Sequence, residues 1–304
     1  MDPSYLRLLQ TGSLSRLAAR LQAGLEDCRL CPHECGVNRL RGETGFCRTG
    51  GNAPLCSYGP HHGEEEVLVG RGGSGTVFLG RCNLRCIYCQ NYEISHGQDS
   101  RPVKARELAM VMLALQAGGA HNVNFVTPTH VVPQIIEALV LAAQEGFRLP
   151  LVYNSGGYEK HETLRILEGV FDIYMPDFKY WDPGIAQELS GIRDYPEVAR
   201  RALKEMHRQV GDLEVKEGLA KRGLLVRHLV LPGNLAGTAS ILEYLAREVS
   251  PGTFVNVMDQ YRPAYRAKER PPLDRRPSPG EIREAMEAAK RLSLRGPAHN
   301  SATG

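Results

Sequence analysis

Three cysteines lie close together in residues 80–91, GRCNLRCIYCQN: Cys82, Cys86 and Cys89, spaced C-x3-C-x2-C. Cysteine thiolates are the usual protein ligands of iron–sulfur clusters, so this spacing predicts that three sulfurs bind three irons of a cubane [4Fe–4S] cluster. The fourth iron would lack a protein ligand and would be open to a small molecule. Structural zinc and buried unligated thiols are the alternatives, but zinc needs a fourth ligand nearby, and the nearest candidate, His96, lies seven residues beyond Cys89.

A second cysteine group, which we call the cysteine knuckle, lies upstream in CRLCPHECGVNRLRGETGFC. Its members are spaced C-x2-C-x3-C-x11-C: Cys28, Cys31, Cys35 and Cys47. Proline and glycines interrupt the segment, so a loop-rich structure tied by a metal is predicted rather than a helix or strand. Structural zinc and an auxiliary iron–sulfur cluster both suit four thiolates, and His33 could replace one ligand. Unligated thiols are less compatible, because clustered reduced thiols oxidise readily.

For three other segments, a structural interpretation is preferred to a chemical one. The polar run HHGEEE at 61–66 would suit a metal site but is predicted to be a solvated loop. Residues 70–75, GRGGSG, match G-x-G-x-x-G but precede a strand, which excludes a dinucleotide-binding loop and predicts a flexible approach to that strand. Cys56 stands alone and is predicted to be a small buried residue.

The elements that must position these residues follow from the pattern of apolar side chains. From residue 76 onward, short apolar runs alternate with amphipathic segments, which predicts parallel strands joined by helical crossovers. The predicted strands are 76–80, 123–127, 149–153, 171–175, 224–231 and 254–258. Six such units are too few for a closed eight-stranded barrel and suit a partial barrel that is open on one side. Upstream, leucines at helical spacing in residues 14–25 predict a short amphipathic helix.

Polar groups follow the predicted strands at their carboxyl ends, where parallel β/α proteins place their active sites. The first strand leads into the loop with Cys82, and the other ends carry TPTH (127–130), YNSGG (153–157), PDFK (176–179), PGN (232–234) and DQYRP (259–263). We therefore expect these groups to face one pocket.

Residues 28 to about 294 resemble the radical S-adenosylmethionine (SAM) proteins similar to pyruvate formate-lyase activating enzyme, in the branch with an N-terminal cysteine knuckle. The motifs that carry this resemblance are the knuckle itself, GEE at 63–65, GSGTVFLGRCNLRCIYCQNYEIS, HNVNFVTPTH, PLVYNSGGYE, DIYMPDFKYWD, LVRHLVLPGN and VNVMDQYRP. The resemblance implies an α/β fold, a partial (β/α)6 TIM-like barrel of the radical SAM type with an N-terminal cysteine-rich metal-binding extension. It also implies reductive cleavage of SAM at the [4Fe–4S] cluster to methionine and a 5′-deoxyadenosyl radical, which abstracts hydrogen from a substrate.

The same resemblance implies which residues hold SAM. The Gly-Gly-Glu loop that grips the SAM amino group in many members aligns with residues 127–130, where the glutamate is absent. The candidates here are therefore backbone carbonyls of this segment together with the hydroxyls of Thr127 or Thr129. Asn154 aligns with an asparagine near the SAM ribose or carboxylate. Asp177 and Lys179 align with Asp-Leu-Lys, which makes Lys179 a candidate for the SAM carboxylate; a structural ion pair at the barrel rim is the alternative.

Three functions are compatible with these features. The chain could be an activase that removes hydrogen from a glycine Cα of a glycyl radical protein, or a radical enzyme acting on a small molecule, a peptide or an RNA base. The third function, from another class, is a non-catalytic iron–sulfur or zinc binding module. Either enzyme would need an electron donor of the flavodoxin or ferredoxin type.

The composition narrows the cellular setting. A net charge of +3 over 304 residues gives no reason to expect nucleic acid, and no apolar run approaches the ~20 residues that cross a bilayer. The cysteines cluster at metal-ligand spacings and no secretory signal is recognised, which predicts a cytoplasmic location. We divide the chain into residues 1–70 with the helix and knuckle, 71–295 with the radical SAM core, and a flexible tail at 296–304.

Overall fold

The computed structural model describes residues 2–97 and 99–296. Its strands are β1 (Ala53–His61), β2 (Ser74–Leu79), β3 (Arg101–Val103), β4 (Val123–Val126), β5 (Leu151–Ser155), β6 (Ile173–Pro176), β7 (Glu214–Lys216), β8 (Leu219–Leu229) and β9 (Phe254–Met258). Within the described range they form one nine-stranded sheet in the order β3-β1-β2-β4-β5-β6-β8-β7. The ninth strand, β9, pairs with residues 225–229 of β8, which follow the residues that pair with β6 and β7.

Six of these strands are parallel neighbours, and they correspond to the six predicted from the sequence. The parallel series runs β2, β4, β5, β6, β8 and β9. The first of them, β2, pairs on its other side with β1 and not with β9, so the series stays open. The predicted partial (β/α)6 barrel is therefore confirmed. The antiparallel strands β1, β3 and β7 were not predicted.

Helices connect and cover the parallel strands. Their bounds are α1 (Tyr5–Gln10), α2 (Ser13–Ala23), α3 (Glu66–Val69), α4 (Tyr92–Ser95), α5 (Ala105–Ala117), α6 (Val132–Gln144), α7 (His161–Ile166), α8 (Pro183–Ser190), α9 (Tyr195–Val210), α10 (Thr238–Tyr244) and α11 (Pro279–Arg291). The predicted amphipathic N-terminal helix is α2, which packs against α6 and buries Leu14 and Leu21. No helix in the described part of the chain is long and apolar enough to span a membrane.

Alternate residues of the parallel strands face two different cores, because successive side chains of a strand point to opposite faces. Leu151 and Tyr153 of β5 join the large core beneath the helices. Val152, between them, faces the barrel interior and packs with Leu225, Phe254 and other buried side chains of the smaller core. The next inward position on β5 is Asn154, so the inward row of this strand passes from apolar to polar towards the carboxyl end.

Short helix α3 closes the apolar end of this interior. Its Leu68 is fully buried in the smaller core, although the chain reaches α3 from β1, outside the parallel series. This placement carries the residues just before α3 into the barrel lumen. The strand β1 also pairs with β2, so residues 53–61 share a sheet with the predicted core despite the proposed boundary at residue 70. Apart from Gly296, the predicted tail lies outside the described residues.

The glycine run before β2 packs closely against a neighbouring turn. A Cβ at Gly72 would lie 1.9 Å from the carbonyl oxygen of Gly119, so glycine is needed there to let two backbones approach each other. The sequence predicted that these glycines make the segment flexible. The structure instead explains the glycine at position 72 by close packing of two backbones.

Candidate active site

The loop with the three clustered cysteines leaves the carboxyl end of β2, as predicted. Cys86 and Cys89 line a cavity of about 640 Å³ in the barrel lumen. Cys82 lines a second cavity, of about 310 Å³, on the other side of the loop. The three cysteines therefore lie between two open spaces, one inside the barrel and one outside it.

Hydrogen-bond donors approach each of the three sulfurs. The backbone N–H of Leu84 donates to Cys82 Sγ at 3.3 Å, and the Ser190 hydroxyl donates to Cys86 Sγ at 3.0 Å. Cys89 Sγ and the Ser95 hydroxyl are 3.1 Å apart. Such donors stabilise negative charge on sulfur, so the surroundings suit thiolate ligands.

Burial makes Cys82 and Cys89 dependent on a metal for their charge. It raises the pKa of Cys82 and of Cys89, and neighbouring Cys86 raises both further. Burial disfavours the charged thiolate, which is the form that binds metals. Bound iron would stabilise that thiolate by its positive charge. Three sulfurs with their own donors fit the three-thiolate ligation of a [4Fe–4S] cluster. No three His, Cys, Asp or Glu side chains in the described residues lie in a geometry for a single metal ion.

The predicted residues Asn154, Asp177 and Lys179 line the same lumen cavity as Cys86. Lys179 Nζ donates to Asp177 Oδ2 at 2.6 Å, and Arg227 Nε donates to Asp177 Oδ1 at 3.0 Å. Arg227 also donates to Asn154 Oδ1 at 2.7 Å. Burial alone would raise the pKa of Asp177, but the cations of Arg227 and Lys179 outweigh it and lower that pKa. Asp177 is therefore a stable carboxylate held between two cations.

Glu64 and Glu65 also line this cavity, which the sequence did not predict. Asn124 Nδ2 donates to Glu64 at 2.8 Å, and Arg227 lies 3.7 Å from the same carboxylate. Both oxygens of Glu65 accept from Asn256 Nδ2, at 2.9 and 3.0 Å. Burial raises the pKa of Glu65 despite that amide. The predicted solvated loop is therefore wrong for these two residues, because α3 draws them into the lumen.

Thr127 and Thr129 are not among the residues that line the cavity. Thr129 is fully buried, and its hydroxyl donates to Glu159 Oε1 at 2.6 Å. Tyr153 donates to the other oxygen of Glu159 at 2.9 Å, and burial raises the pKa of this carboxyl to about 7. The Thr129 hydroxyl is thus committed to Glu159 and not directed to a ligand. Thr127 has φ of 60°, a left-handed conformation that is unusual for a β-branched residue.

All members of the cysteine knuckle line one enclosed cavity of about 10 Å³, which also contacts Arg39. The Phe46 N–H donates to Cys35 Sγ at 3.4 Å, and burial raises the pKa of Cys31 to about 12. His33, the alternative ligand, has Nε2 2.9 Å from the carbonyl oxygen of Asn83 and stacks on Phe46. The four cysteines thus line one cavity, but within the described residues no three of them are placed to hold a single metal ion, so a second metal site, zinc or iron–sulfur, stays a prediction. Cys56 is half-buried, not fully buried as predicted.

A family model and two relatives in one archaeon match this chain. Residues 76–216 match the model of the Radical SAM superfamily. The chain is 33% identical over 279 residues to the uncharacterised protein MJ0674 of Methanocaldococcus jannaschii, covering 88% of this chain and 76% of that one. The chain belongs to the radical SAM superfamily. MJ0808 of the same organism is 23% identical to this radical SAM protein over 287 residues, 88% of this chain and 77% of that one.

Two solved structures can be aligned structurally with part of this radical SAM protein. A radical SAM methyltransferase from Sphaerobacter thermophilus aligns with a TM-score of 0.46 at 13% identity, over 73% of this chain and 65% of that one. SuiB of Streptococcus suis, bound to its precursor peptide SuiA, aligns with a TM-score of 0.44 at 12% identity, over 71% and 46%. The chain thus spans less than two thirds of each. Superfamily membership itself implies a [4Fe–4S] cluster, SAM and radical chemistry, in agreement with the three-thiol donor set.

Proposed function

We propose that this radical SAM protein cleaves SAM reductively at a [4Fe–4S] cluster held by Cys82, Cys86 and Cys89 and removes hydrogen from a substrate in the barrel lumen. The observation that carries this proposal is that Cys86 and Cys89 share one 640 Å³ cavity with Asp177 and Lys179. When bound, the cluster and SAM supply a 5′-deoxyadenosyl radical, and the protein supplies orientation and an enclosure that excludes competing reactions.

Lys179 is the residue that we assign to the SAM carboxylate. An ammonium group has three N–H donors, and only one is needed for Asp177, 2.6 Å away. Burial alone would lower the pKa of Lys179, but Asp177 outweighs it and keeps the side chain a cation. Asp177 therefore acts as a positioning residue, holding Lys179 charged and fixed in the wall of the cavity.

Asn154 is a second SAM contact in this proposal. Its Oδ1 accepts from Arg227 at 2.7 Å, which fixes the amide so that Nδ2 is available as a donor. A donor at this position suits the ribose hydroxyls or the carboxylate of SAM. Arg227 in turn keeps the amide from flipping.

The backbone of residues 127–130 is our candidate for holding the SAM amino group. The carbonyl oxygens of Pro128 and His130 already accept from the Val131 N–H and from Arg39. The Thr127 carbonyl oxygen, next to Val126 in the cavity wall, is therefore the acceptor that we assign, because the Thr129 hydroxyl already donates to Glu159. The left-handed conformation of Thr127 carries a steric cost, and such strain is retained mainly where backbone placement serves a site.

Glu64 and Glu65 favour a polar substrate. Both carboxylates face the lumen, and Glu65 accepts from a single amide nitrogen, so its oxygens retain capacity for further donors. We propose that the substrate is a small molecule or a side chain whose N–H or O–H groups donate to the carboxylates of Glu64 and Glu65. The glycyl radical protein is supported by family resemblance alone.

Formation of 5′-deoxyadenosine tests the proposal. Anaerobically reconstituted wild-type protein, reduced with dithionite and given SAM, should release 5′-deoxyadenosine and methionine in equal amounts. Cys86→Ala should release neither, whereas Cys56→Ala, a cysteine outside both motifs, should behave as wild type. Absence of 5′-deoxyadenosine from the wild type would leave the non-catalytic binding module as the better description.

A further inference from the structure

The second cavity, outside the barrel, is rich in arginine. It measures about 310 Å³ and lies between the cysteine knuckle and the loop that carries Cys82. Arg48, Arg81, Arg85 and Arg266 line it, and among the residues that the structure describes no Asp or Glu does. We call this set the arginine cavity.

Most of this positive charge is not neutralised locally. Arg266 pairs with Glu269 at 2.7 Å. Arg85 donates to the carbonyl oxygen of Phe46 at 2.8 Å and lies 4.4 Å from the centre of its ring, a contact that leaves the cation uncompensated. Within the described residues, Arg48 and Arg81 form no ion pair. The cavity therefore presents a local positive field on a chain whose net charge is only +3.

Two of these arginines adopt a backbone conformation that is costly for any residue with a Cβ. Arg48 has φ of 56° and Arg81 has φ of 68°. Glycine would occupy either position without strain. Arg48 adjoins Cys47 and Arg81 adjoins Cys82, and such strain is retained mainly where backbone placement serves a site.

The arginine cavity and the lumen lie on opposite sides of the loop that carries Cys82, Cys86 and Cys89. Cys82 is part of its wall, whereas Cys86 and Cys89 line the lumen. Cys47 of the knuckle also lines it. A protein seated here would approach the cluster without obstructing SAM or substrate.

We propose that the arginine cavity is the docking surface for a small acidic protein that carries single electrons. This inference rests on the proposed function, which consumes one electron per SAM cleaved. The donor loses one electron and the cluster gains it, and no atom or proton is transferred. Charge complementarity would accelerate the encounter and fix the orientation of the partner. Stacked Tyr92 and Tyr265, whose ring centres are 5.3 Å apart, add an exposed apolar patch beside the charges.

A nucleic acid is the competing partner, because arginines and exposed aromatic rings also bind single strands. Backbone binding requires a basic groove that follows several phosphates, and here the cations surround one compact cavity. The acidic protein is therefore the favoured occupant.

Association kinetics test the docking surface without requiring catalysis. The probe is an oxidised flavodoxin, mixed with the reconstituted protein at low and moderate salt. Arg48→Glu and Arg266→Glu should each slow association about tenfold at low salt and flatten its salt dependence. Arg106→Glu, an exposed arginine on α5, is the matched control and should change neither. A 20-nucleotide RNA serves as the competing probe.

A second readout separates this inference from the proposed function. With dithionite, both cavity variants should form 5′-deoxyadenosine at the wild-type rate, and with reduced flavodoxin their rates should fall. Unchanged flavodoxin association in both variants, equal loss in Arg106→Glu, or RNA binding that the variants abolish while flavodoxin fails to bind would overturn the docking surface. If wild type forms no 5′-deoxyadenosine, the proposed function fails while the association rates still decide the docking surface.

Discussion

Asp177 and Arg227 face each other across the junction of β6 and β8, and Arg227 Nε donates to Asp177 Oδ1 at 3.0 Å. Because both positions point inward, the pair stands in the lumen, where Lys179 and Asn154 complete its contacts. The Asp177 carboxylate therefore contacts both cations, and it is the closer of the two carboxylates that face Arg227, since Glu64 lies 3.7 Å from that guanidinium.

Replacing Asp177 by Asn should destabilise the metal-free protein by about 2–3 kcal/mol. Removing one partner of a fully buried pair typically costs 3–5 kcal/mol, and the lower figure allows for the roughly one-fifth exposure of these side chains. Urea unfolding measures the change. Glu243→Gln, in an exposed pair with Arg247, is the control and should cost less than about 0.5 kcal/mol. An Asp177→Asn loss as small as that of the control would show that the lumen cations need no carboxylate.

Glu159→Gln should change how stability depends on pH. Burial raises the folded pKa of Glu159 from 4.5 to about 7, so the folded state holds this proton more tightly than the unfolded state. The free energy of unfolding should therefore fall as pH rises from about 4.5 to 7, by an amount on the order of 3 kcal/mol, and then level off.

The difference between wild type and Glu159→Gln, measured by urea unfolding at pH 5 and pH 8, isolates this contribution. The free energy of unfolding of the wild type, relative to that of the variant, should be lower at pH 8 than at pH 5. Exposed Glu162→Gln is the control and should run parallel to wild type at both pH values. A Glu159→Gln difference that does not vary with pH would mean that Glu159 is already ionised at pH 5.

Metal content should distinguish the two cysteine groups. Cys86→Ala should lose about four irons per chain, one cubane cluster, and keep the metal of the knuckle. Cys31→Ala should do the opposite, losing zinc or a second cluster while retaining the first. Metal analysis of anaerobically purified protein measures both. Unchanged iron in Cys86→Ala would reject the cluster assignment, and unchanged zinc and iron in Cys31→Ala would favour an unligated knuckle.

The parallel strands were readable because each buries both faces and alternates with an amphipathic helix. Strand β1 was not, since APLCSYGPH contains two prolines and a glycine and is ordered by pairing with β2 and β3. Helix α8 had readable signals that were overlooked: Asp182 caps it by accepting from the Ile185 N–H, proline begins it and Gly191 ends it.

Site residues could be predicted from the sequence where a motif identifies them. They could not be predicted where tertiary packing alone brings them to the site. Cysteine spacing and the strand ends led to Cys86, Asn154, Asp177 and Lys179, which share the lumen. Glu64 and Glu65 look like a solvated run because nothing local reveals that Leu68 is inserted into the barrel. The commitment of Thr129 to Glu159 likewise depends on two distant segments meeting.

The most direct test of the central claim is the electron paramagnetic resonance spectrum of the reduced, reconstituted protein with and without SAM. If Cys82, Cys86 and Cys89 leave one iron open for SAM, the spectrum of the reduced [4Fe–4S] cluster should change when SAM is added. A cluster signal that SAM leaves unaltered, or a protein that binds no cluster through these cysteines, would contradict the account.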